Sequence, residues 1–168
     1  MEQLRIPRER IPMLVGAKGS TKRKIQKSTD TKIRINSENG DVFIEGEPVN
    51  VFNCLNVIKA VGRGFNPDIA LKLLNEDYSF EIINIEEFAR NKKDLIRIRS
   101  RLIGREGKAR GYIESLTNTK IEVYGKTLGI IGKIDSVIIA RQGIINLIHG
   151  SKHGNVYAYI EKQKLKNK

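Results

Sequence analysis

The sequence has a single cysteine and no long apolar run, and both features exclude classes of protein. Cys54 cannot form a disulfide within the chain. Because it lies among Val51, Leu55 and Ile58 at helical spacing, we expect it to be buried and inert. No stretch approaches the roughly 20 apolar residues of a membrane-spanning helix, and the first residues carry no apolar signal-peptide core. The sequence therefore predicts a cytoplasmic protein without membrane association.

Catalytic and metal-binding motifs are also scarce. The two histidines have no cysteine or clustered carboxylates beside them, which argues against a zinc site. Neither Gly-Lys pair, at 107–108 and 132–133, is followed by the Ser or Thr of an NTPase P-loop. The adjacent carboxylates at 76–77 and 86–87 point different ways on most elements, which favours a solvated surface over a nuclease site. We expect a protein that is not an enzyme and uses no cofactor.

Acidic residues are outnumbered by basic ones, 19 to 31, which gives a formal net charge of +12. An excess of that size in 168 residues indicates a polyanionic partner, and nucleic acid is the first candidate. The length itself permits either one domain or two small ones.

An internal repeat favours two domains. Residues 15–19, Val-Gly-Ala-Lys-Gly, are echoed 88 positions later by Ile-Gly-Arg-Glu-Gly at 103–107. At the same offset, residues 31–35 match 119–123, and both segments alternate apolar and polar residues as half-buried strands do. Each half is predicted to run strand, helix, helix, strand, strand, helix.

These patterns predict an α+β fold with two tandem domains, each a three-stranded antiparallel sheet packed against three helices. The predicted boundaries are 1–64 for the first domain, 65–78 for an inserted helix and connection, 79–150 for the second domain, and 151–168 for a C-terminal helix and basic tail. The inserted helix is predicted from an asparagine at the N-cap position followed by proline in the first turn.

The C-terminal quarter contains two apolar patterns with helical spacing. The first predicts a helix whose buried stripe comprises Ile134, Val137, Ile138, Arg141, Ile144, Ile145 and Ile148. The second is formed by Val156, Tyr157 and Ile160. The lysines from Lys162 to Lys168 are compatible both with a solvated, disordered end and with an RNA contact.

The two glycine loops suit phosphate binding. Glycine lets the backbone adopt positive φ and approach a ligand closely, and the following helix N-terminus presents N–H groups to an anion. The candidate nucleic-acid-binding residues in the loops are Gly16, Ala17, Lys18, Gly19, Gly104, Arg105, Glu106 and Gly107. The candidates outside the loops are Lys22, Lys24, Lys32, Arg34, Arg97, Arg101, Lys108 and Arg110. Lys32 and Arg34 alternate with isoleucines, so we expect them to face away from the core.

Residues 14–19 and 102–107 resemble the apolar-apolar-Gly-x-x-Gly core of KH domains, whose loop clamps about four nucleotides of RNA. The predicted element order is similar to that of type I KH domains, found in eukaryotes and archaea. The aliphatic residues Ile25, Ile33 and Ile35 in the first half, and Ile113, Ile121 and Val123 in the second, would then line the RNA groove or the core beneath it.

A closer resemblance involves residues 62–74 and 101–110, which look like those of archaeal two-KH proteins related to the partner-of-Nob and Krr-type ribosome assembly factors. It implies binding of single-stranded RNA, namely small-subunit pre-rRNA near its 3′ end, with an endonuclease and an rRNA methyltransferase as partners. Eukaryotic members have lost the first glycine loop, which this chain retains. The alternatives are a KH-type RNA-binding subunit of another RNA-processing or translation-related complex, and a protein-interaction module, which Lys18 and Arg105 argue against.

The second half has the larger number of arginines around its loop, at positions 97, 101, 105 and 110. Arginine can bond two phosphate oxygens at once and stack on bases, whereas lysine acts as a point charge. We therefore expect the second half to bind RNA more strongly. Glu106, inside the loop, is expected to face solvent or to pair with a neighbouring arginine.

Overall fold

The structure is a computed structural model that describes residues 1–167. The chain divides into two compact units, which run from Met1 to Glu76 and from Asp77 onward. The short inserted helix belongs to the first unit, and the C-terminal helix belongs to the second. Each unit contains a three-stranded antiparallel sheet and several helices, so the predicted α+β class is confirmed.

The first unit follows the predicted order of elements. Its elements are β1 (Glu2–Arg5), α1 (Ile11–Val15), α2 (Ser20–Thr29), β2 (Lys32–Asn36), β3 (Asp41–Glu45), α3 (Pro48–Gly62) and α4 (Pro67–Ala70). The strands lie in the order β1-β3-β2, which leaves β2 at an edge of the sheet, with Ile33 opposite Ile44. The side chain of Asn66 caps α4 by accepting a 2.8 Å hydrogen bond from the Asp68 N–H, as expected for an N-cap asparagine.

The second unit repeats this order of strands and helices, and its last helix is longer. Its elements are β4 (Tyr78–Asn84), α5 (Lys92–Ile103), α6 (Lys108–Thr117), β5 (Lys120–Tyr124), β6 (Thr127–Lys133), α7 (Ile134–Ile148) and α8 (His153–Lys166). The strands lie in the order β4-β6-β5, so β5 is the counterpart of β2 at the sheet edge.

Each unit has its own apolar core, built from equivalent residues. Ile25 on α2 and Ile33 on β2 are at most 1% exposed in the first unit, and Ile113 on α6 and Ile121 on β5 have the same values in the second. Cys54 is completely buried, and burial raises the pKa of its thiol, which keeps it protonated and unreactive.

The predicted buried stripe of α7 is wrong at Ile134, Ile138 and Arg141. Ile138 is 61% exposed, and Ile134 and Arg141 also face solvent. The buried face instead includes the small residues Ala140 and Gly143, because α8 packs there: a Cβ on Gly143 would lie 2.8 Å from Cδ1 of Ile160. The buried face also includes the large residues Ile139 and Leu147, which the predicted stripe left out.

The C-terminal lysines do not form a disordered end over the part that the structure describes. Lys162, Lys164 and Lys166 lie in α8, exposed to solvent, while Val156 and Ile160 of the same helix are buried. Lys168 lies outside the described residues.

The same threonine pair links helix to strand in both units. Thr29 Oγ1 donates to the Ile25 carbonyl at 2.7 Å and lies 2.7 Å from Thr31 Oγ1. In the second unit Thr117 Oγ1 donates to the Ile113 carbonyl at 2.7 Å and lies 2.8 Å from Thr119 Oγ1. The pair satisfies hydroxyl groups that are otherwise shielded from water.

We expect Thr117→Val to lower the free energy of unfolding by about 1 to 3 kcal/mol, because the nearly isosteric change leaves the buried Thr119 hydroxyl without one of its partners. Urea titration followed by circular dichroism measures the change. Exposed Ser100→Ala is the control, expected to stay within about 0.5 kcal/mol of wild type. An equally small change in Thr117→Val would contradict a stabilising role for the pair.

Candidate nucleic-acid interface

The two glycine loops share one unusual backbone. Gly16, Lys18 and Gly19 have φ angles of +73°, +53° and +76°. Their counterparts in the second unit, Gly104, Glu106 and Gly107, have +76°, +57° and +75°. The left-handed region is unfavourable for residues with a Cβ, so Lys18 and Glu106 hold a strained conformation of the kind that clusters at functional sites.

The first glycine of each loop is required by packing. A Cβ on Gly16 would overlap the Thr21 side chain and lie 2.8 Å from the Thr21 backbone nitrogen. A Cβ on Gly104 would lie 2.6 Å from the Cβ of Ala109 and 2.7 Å from its backbone nitrogen. These glycines let each loop close directly onto the helix that follows.

The second glycine of each loop has only an arginine side-chain end nearby. A Cβ on Gly107 would meet no described heavy atom closer than Arg110 Nη2 at 3.9 Å, and one on Gly19 would lie 3.1 Å from Arg23 Nη1. Gly19 and Gly107 are also the N-caps of α2 and α6. Within residues 1–167 no side chain caps either helix, and neither first turn contains an acidic residue. Each loop therefore presents backbone N–H groups to solvent where an anion can approach.

Several cations surround the first loop. Lys18 is exposed at its tip, and Arg23 Nη1 donates to the Lys18 carbonyl at 2.6 Å, which supports the strained turn from behind. Lys22 is half-buried. Lys24 forms a 2.7 Å ion pair with Asp68, the second residue of α4.

The basic residues of β2 face away from the core, as expected. Lys32 and Arg34 are exposed, whereas Ile33 is buried and Ile35 is half-buried. The Arg34 guanidinium lies over the Phe43 ring, 5.1 Å from its centroid, and 3.9 Å from the Glu45 carboxylate. Phe43 is the residue opposite Arg34 in the sheet register, so the strand pairing fixes where this cation sits.

Arg101 has a structural role that its position in sequence does not reveal. Its two terminal nitrogens donate to the carbonyls of Leu147 and Ser151, each at 2.7 Å, around the end of α7. These carbonyls are among the last of the helix or follow it, where a cation is favoured by the helix dipole. The structure therefore places this guanidinium at the end of α7, and we leave Arg101 out of the proposed RNA contacts.

Arg110 is also engaged within the chain, at the edge of the second sheet. Its Nη1 donates to the Ile121 carbonyl at 3.0 Å and lies within 4.0 Å of both the Glu114 and Glu122 carboxylates. Glu114 in turn accepts from the Ile121 N–H at 2.8 Å. In the first unit, Gln26 performs the same task by accepting from the Ile33 N–H at 2.8 Å. The second sheet edge therefore carries two carboxylates and one arginine that is bonded to the backbone.

The remaining second-unit candidates are exposed. Arg105, Glu106 and Lys108 face solvent. For Glu106, exposure to solvent was one of the two expected outcomes, the other being a pair with a neighbouring arginine. Arg97 pairs with Asp94 at 2.8 Å, and the pKa of that carboxyl is lowered by the Arg90 backbone N–H and by Arg97. The expectation that the second unit binds RNA more strongly thus loses much of its basis, because three of its four arginines have partners within the chain.

Other kinds of site find little support in the described part of the chain. Residues 1–167 contain no group of three or more His, Cys, Asp or Glu side chains placed to hold a metal ion. None of the described helices combines the length and apolar character needed to cross a membrane.

The order of strands and helices and the two glycine loops are those of KH-domain proteins. The family model described as KH domain matches residues 1–60, and the model described as eukaryotic type KH-domain (KH-domain type I) matches residues 79–165. Within that class, the chain belongs to the family of archaeal Dim2p and the pre-rRNA-processing protein PNO1.

Relatives support this assignment over different shares of their length. A KH domain-containing protein of Methanocaldococcus jannaschii is 39% identical over 173 aligned positions, covering all of this chain and 76% of the relative. The pre-rRNA-processing protein pno1 of Aspergillus fumigatus is 34% identical, covering 62% of this chain. That alignment spans only 43% of the fungal protein.

Two crystal structures from Pyrococcus horikoshii are similar over nearly the whole chain. Dim2p superposes with a TM-score of 0.89 and 43% identity, covering 96% of this chain and 98% of that one. A chain of an a/eIF2α–aDim2p–rRNA complex superposes with a TM-score of 0.90 and 42% identity, covering 98% and 94%.

We expect Arg101→Met to lower the free energy of unfolding by about 2 kcal/mol, because it removes two charge-assisted hydrogen bonds while keeping the aliphatic stem. Arg105→Met is the matched control. Arg105 is exposed, so its replacement should change stability by less than about 0.5 kcal/mol. Urea unfolding of the two variants side by side measures the difference, and equal stabilities would contradict the structural role of Arg101.

Proposed function

We propose that this protein binds single-stranded rRNA of the small ribosomal subunit, near its 3′ end, during ribosome assembly, and that both glycine loops clamp the phosphate backbone. The protein acts as a binding factor without a catalytic step of its own. We also propose that it acts in the cytoplasm, as the sequence predicts.

The main observation that supports RNA binding is the pair of glycine loops. Each ends at a glycine that is the N-cap of the following helix and leaves its first N–H groups free of a side-chain cap, and each holds a residue in a strained left-handed conformation. One such turn is weak support, but the same arrangement at equivalent positions of two units is specific. A nucleic-acid phosphate satisfies the geometry, because it is an anion that needs close backbone approach.

The choice of RNA and partners rests on the relatives. The complex from Pyrococcus horikoshii contains rRNA and a/eIF2α, and the fungal relative is named as a pre-rRNA-processing protein. We extend both the rRNA and an a/eIF2α-like protein to this chain as partners. An endonuclease and an rRNA methyltransferase are further proposed partners, carried by the family resemblance alone.

Charge distribution favours the first unit as the stronger phosphate clamp. Lys18 lies in the first loop at the position that Glu106 occupies in the second, and Arg34 of β2 stands in the sheet register where β5 has Glu122. Gln26 of the first unit likewise corresponds to Glu114 in the second unit. Three carboxylates thus stand near the second loop or its sheet edge at positions where the first unit has two cations and a neutral amide.

Binding should be specific for unpaired strands and sensitive to salt. We expect a mixed-sequence 12-nucleotide RNA to bind more tightly than a hairpin of the same length, because bases must be unstacked to enter a KH groove. Lys18→Gln should reduce the slope of log affinity against log salt concentration by about 0.7, the value for one phosphate contact on a single strand. Fluorescence anisotropy across a salt series measures both quantities.

Equal affinity for hairpin and single strand, or a slope that Lys18→Gln leaves unchanged, would contradict this clamp. Incubation of the same labelled RNA with the protein and Mg²⁺ tests the alternative of a nuclease. Intact RNA is expected, and cleavage that persists through purification would replace the binding role with a catalytic one.

We expect Gly19→Asp to lower RNA affinity by about tenfold or more, because it removes the stronger of the two clamps and sets a carboxylate against the phosphate. The loss from Gly107→Asp should be smaller. Gly19→Asn and Gly107→Asn are the matched controls, since asparagine tolerates positive φ and has nearly the same size without the charge. Thermal unfolding confirms that all four variants are folded. A larger loss from Gly107→Asp would assign the stronger clamp to the second unit.

A further inference from the structure

Gly111 lies inside α6 without any packing reason for a glycine. Two other helical glycines are explained by close contacts: a Cβ on Gly62 would lie 2.7 Å from Ile6 Cγ2, and one on Gly143 would lie 2.8 Å from Ile160 Cδ1. Gly154 also has open space around it, but it is the second residue of α8 and lies outside the helix interior. A Cβ on Gly111 would meet no described atom within 4 Å, apart from its own helix backbone and its chain neighbours. Glycine is among the least favourable residues in a helix interior, so its presence in open space calls for an external cause.

The next residue presents an aromatic ring at the same place. Tyr112 is 46% exposed, and its ring centroid lies 4.5 Å from that of Tyr157 on α8 at an angle of 70°. In an edge-to-face pair, the partner covers at most one face of each ring. Tyr157 is held in turn by His153, with ring centroids 6.3 Å apart. Tyr112 is therefore a positioned ring with surface left for a ligand.

These residues line one shallow depression. It is formed by Lys108, Gly111, Tyr112 and Ser115 from α6, and by Tyr157 from α8. Lys108 is the first residue of α6 and follows Gly107 directly, so the depression begins at the phosphate-binding end of the helix. From Lys108 to Ser115 it extends about 10 Å along the helix, at 1.5 Å per residue. The depression is thus continuous with the second loop.

The first unit is built differently on the equivalent face. At the repeat offset of 88, Gly111 and Tyr112 correspond to Arg23 and Lys24. Arg23 supports the loop carbonyl of Lys18, and Lys24 pairs with Asp68 of α4. The pocket on that face is therefore polar and has the Lys24–Asp68 ion pair in its wall, whereas the second unit has an aromatic ring beside a bare stretch of helix backbone.

We propose that Gly111, Tyr112 and Tyr157 form a stacking site for one nucleobase of the RNA strand held by the second loop, with Lys108 beside the phosphate of that nucleotide. This inference rests on the proposed function. The glycine lets the base lie against the helix, and the Tyr112 ring supplies a platform that any base can use, since every base has a π face. The lysine and the uncapped helix N-terminus favour a strand that carries negative charge over an uncharged apolar partner. The site lengthens the RNA contact beyond the four nucleotides of the KH groove.

Two variants test the site from opposite directions. Tyr112→Leu keeps an apolar side chain of good helix propensity but removes the ring, and Gly111→Leu fills the depression. Both should lower affinity for a mixed-sequence single-stranded 12-nucleotide RNA by about 5- to 150-fold, the range for loss of one base on an aromatic side chain. Phe52→Leu, which changes a 62% exposed aromatic residue of the first unit, is the matched control and should bind as wild type does.

Gly111→Leu separates a binding role from a structural one. Because leucine has higher helix propensity and meets no steric clash there, the variant should unfold at a higher temperature than wild type while binding RNA less tightly. A structural role would move both properties in the same direction. A photoreactive 4-thiouridine placed in the RNA should also crosslink to Tyr112 or Tyr157, with the crosslinked peptide identified by mass spectrometry.

The outcomes distinguish this site from the proposed function. If both loop variants, Gly19→Asp and Gly107→Asp, weaken RNA binding while Tyr112→Leu and Gly111→Leu bind as wild type does, the stacking site is wrong and the clamp stands. If wild type shows no affinity for the single strand, both the proposed function and the stacking site are wrong. If the two site variants keep RNA affinity but lose a protein partner, the depression is a protein-docking surface and the nucleobase assignment is overturned.

Discussion

The left-handed backbone of the two glycine loops is the constraint on which the rest of the interface depends. Gly16 and Gly104 allow each loop to fold tightly onto the next helix, because any side chain there would overlap the first turn of that helix. This closeness places Gly19 and Gly107 at the helix N-caps and leaves the N–H groups directed outward. The intervening Lys18 and Glu106 must then adopt positive φ. Their strain is offset by the packing of helix and loop, so the anion site is formed before any ligand arrives.

The repeat is preserved in its backbone and in the hydrogen bonds that support it, but not in its charges. The threonine pairs and the side-chain oxygens that accept from the edge strands recur at equivalent places, through Gln26 in one unit and Glu114 in the other. Either side chain satisfies the same N–H group, so the fold tolerates an amide or a carboxylate. The charge at this position matters for ligand binding, however, because a carboxylate at a sheet edge repels a phosphate chain unless a cation lies nearby. Arg110 supplies that cation and is thereby bound to the sheet edge.

Local patterns in the sequence predict the scaffold well, because they report interactions between residues that are close along the chain. The glycine spacing, the strand alternation around Ile33 and Ile121, and the capping of α4 by Asn66 are all of this kind. The face of α7 and the role of Arg101 could not be predicted in this way. The first depends on packing against α8, and the second on carbonyl groups 46 and 50 positions away. An arginine beside a candidate loop looks the same in sequence whether it points to a ligand or to the end of another helix.

The net charge of +12 does not tell which cations can contact a polyanion directly. Arg101 and Arg110 are bonded to backbone carbonyls, and Arg97 to a carboxylate, so each is held by partners inside its own unit. Direct contact with phosphate is left to the cations whose geometry leaves them exposed, such as Lys18 and Lys32 in the first unit and Arg105 and Lys108 in the second. Arginine is suited to buried and structural contacts because its planar fork can satisfy two carbonyls at once, whereas lysine retains its hydration. Two of the four arginines around the second loop thus hold backbone carbonyls of a helix end and a strand, and a ligand contact there must rely on the exposed cations, backbone N–H groups and ring faces.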